Sequence, residues 1–251
     1  MENKTTSELV SIITPCYNAA LYINDTIISV INQTYKNWEL IIVDDCSTDN
    51  SVELIQSFKD QRIKLYKTNS PSGSPALPRN MGVSLSKGKY VAFLDSDDIW
   101  LPNKLESQLN FLKQYGAKFV YSYYQRFTSY DSRGGVIKSP DFADYNSIKW
   151  RDYIPMLTIL LEKDLLEGVE FENCPKEDFV FLLKLFKKGV IAYNTRENVA
   201  LYRISPYSRS SNKYDMLIKH YRILRYSGFS CLQSALYTIT HCIAAFIKYN
   251  K

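Results

Sequence analysis

The chain has 251 residues, of which 45% are apolar and 23% are charged, and its formal net charge is +5. This length and composition suit one large folded domain and exclude a disordered chain. The positive excess lies from Lys213 onwards, and the sequence has neither a basic stripe nor a nucleic-acid-binding module, so we expect no nucleic-acid partner.

The five cysteines are odd in number and contain no CxxC pair. They predict buried thiols in a reducing compartment, not a disulfide framework or a zinc site. Residues 1–7 lack the basic and apolar layout of a signal peptide, and no apolar run reaches the about 18 residues of a membrane-spanning helix. We therefore expect a cytoplasmic protein, with peripheral attachment to the cytoplasmic face of the inner membrane left open.

The first half of the chain predicts strands that alternate with helices. Short apolar and β-branched runs predict strands at residues 9–14, 39–43, 62–66 and 90–94. Helical spacing predicts helices at 20–33, from a cap at 47–49 to 58, at 77–86 and at 102–115. This alternation favours an α/β fold with a mostly parallel sheet flanked by helices, whose ligand site lies beyond the carboxyl ends of the strands.

The second half is less regular. Residues 128–146 are polar and predict a loop or a hairpin, and residues 150–166 predict a helix and a strand. An amphipathic helix is expected at 176–188 and a short strand at 200–204. Two further helices, at 214–226 and 231–248, form a C-terminal helical extension.

Polar or aromatic residues follow three of the predicted strands, as PCYN at 15–18, DD at 44–45 and DSDD at 95–98. Each group alone is compatible with a turn and a helix cap. Together they offer an aromatic face for a nucleobase, carboxylates for ribose hydroxyls, and hard oxygen ligands for Mg²⁺ or Mn²⁺. A nucleotide-diphosphate site accounts for the whole set.

The usual phosphate-binding loops are absent, since the sequence contains neither GxGxxG nor GxxxxGK[ST]. The charge of a diphosphate must then be met by a metal ion and by basic side chains. Arg79, which follows a loop containing Gly73, is the candidate. This argues against a kinase or a dehydrogenase.

Five motifs in order resemble those of family 2 glycosyltransferases with the GT-A fold: PCYN at 15–18, VDDCSTD at 43–49, RNMG at 79–82, FLDSDD at 93–98 and ED at 177–178. The resemblance covers roughly residues 9–205 and is to bacterial enzymes of O-antigen and polysaccharide synthesis. It implies transfer of a sugar from a UDP-sugar to an acceptor hydroxyl, with inversion and a β-linkage. The acceptor implied is a lipid-linked saccharide.

The resemblance also implies a role for each motif residue. Tyr17 would stack on the nucleobase, and Arg79 would face the diphosphate. Asp178 would be the catalytic base, although the start of a predicted helix equally suits an acid that compensates the helix dipole. The donor-binding residues implied are Pro15, Tyr17, Asn18, Asp44, Asp45, Arg79, Asp95 and Ser96, and Asp95 and Asp97 are the implied ligands of Mn²⁺ or Mg²⁺.

Other residues of note fall outside these roles. Asp98 is expected to cap the turn that leads into the helix at 102–115. Ser205 stands where many relatives have a histidine, so this segment is not expected to bind the metal, and residues 208–211 suit either a lid or a plain polar loop. His220 and His241 lie away from every motif in the sequence and are expected to be structural.

We expect a catalytic domain at 1–212, with a nucleotide-sugar part at about 8–100 and an acceptor part at about 101–212, and a basic, aromatic tail at 213–251. The tail suits either a membrane interface or packing against the domain. Two alternatives to glycosyl transfer stay open. One is a nucleotidyltransferase acting on sugar phosphates, and the other is a non-catalytic protein that binds sugar nucleotides or carbohydrate.

Overall fold

The computed structural model describes residues 8–129, 131–204 and 213–249 of the chain. Its first half alternates strands and helices in the predicted order, and every element predicted there is present. The strands are β1 (Val10–Cys16), β2 (Trp38–Asp44), β3 (Ile63–Lys67) and β4 (Tyr90–Phe93), and the helices between them are α1 (Ile23–Ile31), α2 (Ser51–Ser57) and α3 (Ala76–Leu85).

These four strands pair in parallel in the order β3-β2-β1-β4. Alternate residues of a strand face opposite sides of the sheet, so Ile13 and Phe93 join the core on one side while Ile12 and Ile42 join the core on the other. Helices cover both faces, and β1, β2 and β4 are therefore buried along their whole length. This explains their nearly continuous apolar sequences.

The second half of the chain adds further strands to the same sheet, and its strands and helices vary more in length than those of the first half. They are β5 (Ile99–Trp100), α4 (Lys104–Tyr115), β6 (Phe119–Ser129), β7 (Ser132–Ile137), β8 (Phe142–Ala143), α5 (Tyr145–Ile148), β9 (Leu160–Glu162), α6 (Glu177–Lys187) and β10 (Ala192–Arg203), with short 3₁₀ turns at Met156–Thr158 and Lys163–Leu166.

Over the described residues the sheet order is β3-β2-β1-β4-β9-β6-β10-β5, with β7 paired to β6 and β8 to β10. β6 and β10 are parallel, whereas β9 runs antiparallel to β4 and β6, and β5 runs antiparallel to β10. The α/β class with a helix-flanked sheet is confirmed. Parallel pairing is concentrated in the first four strands.

The sequence does not predict β5 or β6 and predicts only the end of β10. β6 mixes tyrosines with polar residues and an arginine, so it shows neither strict alternation nor a continuous apolar run. The polar segment 128–146 continues β6 into β7, and then forms β8 and the start of α5. Of the two predictions for this segment, the hairpin is therefore correct.

Helix α3 lies close against β1. A Cβ atom added at Gly82 would stand 2.4 Å from Cγ2 of Ile13, well inside van der Waals contact. The glycine of the RNMG motif therefore permits the approach of helix and strand. This approach brings the first turn of α3, which holds Arg79, to the ends of β1 and β4.

The C-terminal helices α7 (Lys213–Tyr226) and α8 (Cys231–Tyr249) pack on the rest of the molecule. Leu224, Phe229 and Tyr237 belong to the same apolar core as α6, and the rings of Tyr237 and Trp150 meet edge to face at 4.5 Å. The opposite side of α8 exposes apolar residues. Among the described helices, none combines the length and the apolar character needed to cross a bilayer.

Candidate active site

A cavity of about 1000 Å³ opens at the carboxyl ends of β1 and β4, next to the first turn of α6. Parallel strands end together at this edge, so the residues that follow them converge. The predicted residues that line the cavity are Pro15, Tyr17, Asp45, Arg79, Asp95, Ser96, Asp97 and Asp178. A second depression of about 710 Å³, between α4 and β10, holds none of them.

The loop after β1 presents an aromatic ring to the cavity. Tyr17 is 53% exposed although it lies beside a buried proline, Pro15, which forms the wall. Asn18 does not line the cavity, and its role in donor binding stays a prediction. It adopts a left-handed φ of 48°, and its Oδ1 accepts a hydrogen bond from the Thr48 amide at 2.8 Å. Asn18 therefore ties the loop after β1 to the loop after β2.

The two acids after β2 have separate environments. Asp44 is fully buried, and its carboxylate accepts the Ser47 amide at 3.1 Å, which closes the turn. This carboxylate does not line the cavity, and its role in donor binding stays a prediction. Asp45 does line it, and accepts hydrogen bonds from the Ser72 amide at 3.0 Å and the Thr68 hydroxyl at 2.9 Å. Asp45 thus holds the loop before α3 against the cavity.

The acidic run after β4 also divides by environment. Asp95 and Asp97 line the cavity, and burial, with a smaller contribution from the Asp95 carboxylate, raises the pKa of Asp97 to about 6. Asp98 points away, and the prediction that it caps a turn is wrong. Its buried Oδ1 accepts the Arg203 amide at 2.8 Å, so it fixes the end of β10. Burial and the two neighbouring acids raise the pKa of Asp98.

Arg79 joins the acidic run to helix α6. Its Nη2 donates to Asp95 Oδ1 at 2.7 Å and its Nη1 to Glu177 Oε1 at 3.0 Å, and the side chain is only 4% exposed. Burial opposes the charge, but the coulombic effect of Asp95 and Glu177 outweighs it and raises the pKa of Arg79. The guanidinium also lies 5.3 Å from the ring centroid of Phe171. The predicted diphosphate-facing cation is therefore held by two carboxylates at the cavity wall.

The first turn of α6 brings Asp178 to the cavity. Asp178 Oδ1 accepts the Phe179 amide at 2.8 Å. Burial and the nearby Asp152 raise the pKa of Asp178, while the charges of Arg79 and Lys176 oppose this rise. A carboxylate with a raised pKa is a stronger base than an ordinary aspartate, which suits proton abstraction.

Several neighbours of the site are not apparent from the sequence. Lys176 and, from helix α7, Lys219 line the cavity, and His220 Nδ1 lies 3.1 Å from Lys176 Nζ. His220 and His241 lie away from every motif in the sequence, but the fold brings both close to Lys176, which directly precedes the ED motif. No local pattern could reveal this contact, since it joins residues 44 positions apart.

Arg203 is a further residue that sequence reasoning left without a role. Its Nε donates to the Asp97 carbonyl at 2.7 Å and its Nη2 to Asp25 at 3.2 Å, while the guanidinium lies 4.5 Å from the ring centroid of Tyr22. It therefore supports the backbone of the acidic run from β10. Ser205 and the segment 208–211, for which the sequence allows a lid or a plain polar loop, lie outside the described residues.

The donor set at Asp95 and Asp97 fits a divalent cation that also binds a diphosphate. Over the described residues, no cluster of three or more histidine, cysteine, aspartate or glutamate side chains suits a metal held by protein alone. Mg²⁺ commonly uses one or two carboxylates together with substrate phosphates and water, and Mn²⁺ accepts the same hard oxygen ligands. Two carboxylates at the wall of a large open cavity match that arrangement.

Comparison with known proteins supplies the identification. The family model for "Glycosyl transferase family 2" matches residues 11–164, a range that includes the VDDCSTD and FLDSDD motifs. The chain belongs to glycosyl transferase family 2. The protein is therefore a glycosyltransferase. Family membership argues against the two alternative hypotheses, a nucleotidyltransferase and a non-catalytic binding protein.

Other members of the family resemble this glycosyltransferase over nearly its whole length. An uncharacterized glycosyltransferase of Haemophilus influenzae is 36% identical over 97% of this chain and 98% of its own. The Escherichia coli UDP-Glc:alpha-D-GlcNAc-diphosphoundecaprenol beta-1,3-glucosyltransferase WfaP is 35% identical over 96% of both chains. The putative teichuronic acid biosynthesis glycosyltransferase TuaG of Bacillus subtilis is 38% identical over 86% of this chain and 87% of its own.

Solved structures confirm the GT-A fold of this glycosyltransferase. S. aureus TarS 1–349 in complex with UDP-GlcNAc superposes with a TM-score of 0.72 at 20% identity, over 90% of this chain and 69% of that one. The mannosyltransferase PcManGT from Pyrobaculum calidifontis, in complex with GDP-Man and Mn²⁺, gives a TM-score of 0.69 at 18% identity, over 93% and 70%. At these identities the likeness concerns the fold alone.

Proposed function

We propose that this glycosyltransferase moves a sugar from a UDP-sugar to a hydroxyl of a lipid-linked saccharide, with inversion and formation of a β-linkage, in bacterial surface polysaccharide synthesis. The observation that carries the proposal is the shared cavity. One space, large enough for a sugar nucleotide, is lined by the exposed ring of Tyr17, by the carboxylates of Asp95 and Asp97, and by the Asp178 carboxylate with cations on either side.

The donor half of the proposal assigns the nucleoside to the loops after β1 and β2. Tyr17 offers an exposed ring on which the base stacks, and Pro15 supports the wall behind it. The Asp45 carboxylate would accept a hydrogen bond from a ribose hydroxyl or from the edge of the base. Asp45 already holds the neighbouring loop before α3. A uridine nucleotide is supported by the UDP-Glc donor in the name of WfaP and by the UDP-GlcNAc complex of TarS.

The diphosphate is assigned to the wall formed by Asp95, Ser96 and Asp97, with Arg79 behind it. Asp95 and Asp97 would hold Mn²⁺ or Mg²⁺, and the Mn²⁺ complex of PcManGT supports this choice of ion. When bound, such an ion supplies Lewis-acid charge opposite the departing diphosphate. Arg79 adds a fixed positive charge at the same wall, because its guanidinium is buried and already oriented.

The acceptor step is assigned to Asp178. Its carboxylate takes the proton of the acceptor hydroxyl while the acceptor oxygen bonds to the anomeric carbon. The bond from that carbon to the diphosphate oxygen breaks at the same time, and its electron pair leaves with UDP. Attack from the face opposite the leaving group turns an α-linked donor into a β-linked product, and no covalent sugar intermediate is required.

The experiment incubates the purified protein and Mn²⁺ with radiolabelled UDP-glucose and a lipid-diphosphate GlcNAc acceptor, which are the donor and the acceptor type in the name of WfaP. We expect a β-linked disaccharide lipid by NMR, and no product when EDTA removes the metal. Asp178→Asn should lower kcat by about 10²–10⁴-fold. Asp141→Asn, at an exposed acid of the second depression, is the control and should match wild type. Undiminished transfer by Asp178→Asn would refute the base.

We also propose that the protein works in the cytoplasm, at the inner membrane surface. Helix α8 exposes an apolar stripe of Leu232, Leu236, Ile239 and Ile243, spaced as one helix face, and Arg222 and Arg225 of α7 are also exposed. The acceptor in the name of WfaP is a sugar linked to undecaprenol, and a membrane-facing stripe would bring the enzyme to an acceptor of that kind. The division into a catalytic domain at 1–212 and a tail at 213–251 stays a prediction.

Flotation with vesicles that contain phosphatidylglycerol tests the membrane proposal. The double variant Leu232→Glu with Ile239→Glu should stay in the aqueous fraction, while wild type floats with the vesicles. Ile191→Glu is the matched control, because this residue is similarly exposed outside the tail, and it should float like wild type. Equal partitioning of wild type and the double variant would remove the membrane contact from the proposal.

A further inference from the structure

We propose that the C-terminal helices position the catalytic base, through a contact between His220 of α7 and Lys176, the residue that precedes α6. This inference rests on the proposed role of Asp178 as the base. It makes Lys176 and His220 positioning residues of the transfer reaction. The tail then belongs to the catalytic machinery whether or not it also touches a membrane.

The backbone at Lys176 needs such support. Lys176 occupies the N-cap of α6 with φ 57° and ψ 46°, a left-handed conformation that a lysine rarely adopts. N-cap residues usually have extended backbone and a short polar side chain that accepts a helix amide, and no side-chain capping bond is present here. The first turn of α6 is therefore held by other contacts, and Asp178 lies in that turn.

The side chain of Lys176 is nearly buried, and its ammonium group makes the contacts that hold the first turn of α6. Its side chain is 10% exposed, and Nζ lies 3.1 Å from His220 Nδ1, 3.5 Å from His241 Nε2 and 3.9 Å from Asp152 Oδ2. Two of these three partners come from the C-terminal helices. An ammonium group has only donors, so each facing imidazole nitrogen must accept.

His220 is suited to act as a fixed acceptor. The residue is fully buried, its ring stacks on His241 with centroids 4.2 Å apart, and it tilts against Phe179 of α6 at 5.2 Å. Burial, followed by the charge of Lys176, lowers the pKa of His220 to about 2. The ring is therefore neutral at physiological pH, with its Nδ1 lone pair directed to Lys176.

The same ammonium acts on Asp178 through its charge. Burial and the charge of Asp152 destabilise the ionised form of Asp178, whereas the charges of Arg79 and Lys176 stabilise it. If His220 no longer fixed Lys176, the base would lose both its orientation and part of the charge that keeps it ionised. The donor-side residues Tyr17 and Asp97 lie on other loops, so the loss should appear in kcat and not in the affinity for UDP.

Two substitutions at one position separate positioning from packing. His220→Phe keeps a buried ring but removes the nitrogen that accepts from Lys176. It should lower kcat about tenfold, which is less than the full contribution of a general base, about 10²–10⁴-fold. The donor KM and the UDP affinity measured by calorimetry should stay within about twofold of wild type. His220→Asn should restore most of kcat, because its Oδ1 can take the place of the imidazole Nδ1.

A second pair of variants addresses Lys176 itself and does not depend on His220→Phe folding. Lys176→Met should lower kcat and move the acid limb of its pH profile upward, whereas Lys176→Arg should keep most of the activity. The charged and titratable groups around this turn are Arg79, Glu177, Asp152, His220 and His241. Of these, His220 stays neutral throughout the assay range, whereas burial and the Asp178 carboxylate raise the pKa of Glu177. The shift would therefore report the neighbouring acids Asp178 and Glu177 together.

Each outcome decides a different claim. An unchanged kcat in His220→Phe or in Lys176→Met would overturn the positioning role, as would equal losses in His220→Phe and His220→Asn. Asp178→Asn is assayed in the same series. If Asp178→Asn keeps full activity, the proposed base itself is wrong; if it is inactive while Lys176→Met is active, only the positioning role fails.

Discussion

At the scale of single residues, neighbouring acids carry out different tasks because successive side chains in a turn face different directions. Asp97 lines the cavity while Asp98 binds the Arg203 amide, and Asp45 lines it while Asp44 closes its own turn. The sequence identifies each motif as a site but cannot state which carboxylate faces the ligand. That choice depends on φ and ψ angles which the contacts of the folded chain determine.

The raised pKa of Asp178 leads to a pH dependence of turnover. The base must be ionised to accept the acceptor proton, so kcat should fall as the pH drops through a pKa that lies above the about 3.9 of an ordinary aspartate. A profile of kcat against pH, taken at saturating donor, metal and acceptor, measures this limb. Constant kcat down to about pH 4 would contradict the assignment.

At the scale of elements, the close approach of α3 to β1 should reverse the usual effect of replacing a glycine inside a helix by alanine. Gly→Ala inside a helix normally stabilises by about 0.5–1 kcal/mol, but the new methyl group at Gly82 would overlap Cγ2 of Ile13. We expect Gly82→Ala to lower the free energy of unfolding by about 1–3 kcal/mol, the usual cost of overpacking. Urea unfolding measures this difference.

A double-mutant cycle provides the control for Gly82→Ala. In an Ile13→Ala background the overlapping methyl group is absent, so adding Gly82→Ala should cost little or should stabilise. Strictly additive losses in the double variant would mean that the clash is not the cause.

Helix α4 buries an ionisable group away from the cavity. Lys104 is fully buried, and its Nζ donates to Gln108 Oε1 at 2.7 Å and to the Ile159 carbonyl at 3.2 Å. Desolvation lowers the pKa of Lys104 well below its ordinary value. Nζ also lies 4.0 Å from the ring centroid of Trp100, so the lowering of this pKa comes from burial and not from a lack of partners.

This burial predicts how stability varies with pH. Between the lowered folded pKa and the ordinary pKa of about 10.4, unfolding takes up a proton, so the free energy of unfolding of wild type should rise with pH. Lys104→Met removes this contribution, and its stability relative to wild type should fall as the pH rises from 7 to about 9.5. Exposed Lys187→Met is the control and should follow wild type. Equal pH slopes in Lys104→Met and wild type would contradict the prediction.

At the scale of the whole molecule, the C-terminal helices complete a core that the rest of the chain cannot close alone. Ile223, Leu224, Phe229 and Tyr237 are buried in the same cluster as Phe179. Burying one large apolar side chain stabilises the folded state by about 1.5–3 kcal/mol. The contributions of these four residues together are therefore comparable with the net stability of a typical domain, about 5–15 kcal/mol. A chain ending at residue 212 should therefore lose cooperative thermal unfolding.

Calorimetry of that shortened chain, with a chain ending at residue 249 as control, measures the effect. A single transition within about 2 °C of the full chain would show that the tail is an appendage, since a loss of even 1 kcal/mol shifts the midpoint by about 2–4 °C in a domain of this size.

The sequence predicts the fold of the first half of this molecule well and that of the second half less well. In the first half the polar residues of the cavity follow short apolar strands, so local patterns mark both the strands and the residues at their ends. The surroundings of Asp178 depend on contacts between segments 44 and 65 residues apart, from Lys176 to His220 and His241. Such contacts leave no local signal, and β6 and β10 are obscured by their mixed aromatic and polar composition.

The contact between Lys176 and the two histidines also constrains how this glycosyltransferase can be recombined with its relatives. Exchanging the first hundred residues would change the donor loops and leave α6 with its own supporting helices. A junction placed between α6 and α7 would instead combine a lysine from one parent with imidazoles from another. Chimeras intended to retain turnover should therefore inherit α6, α7 and α8 as one block from a single parent.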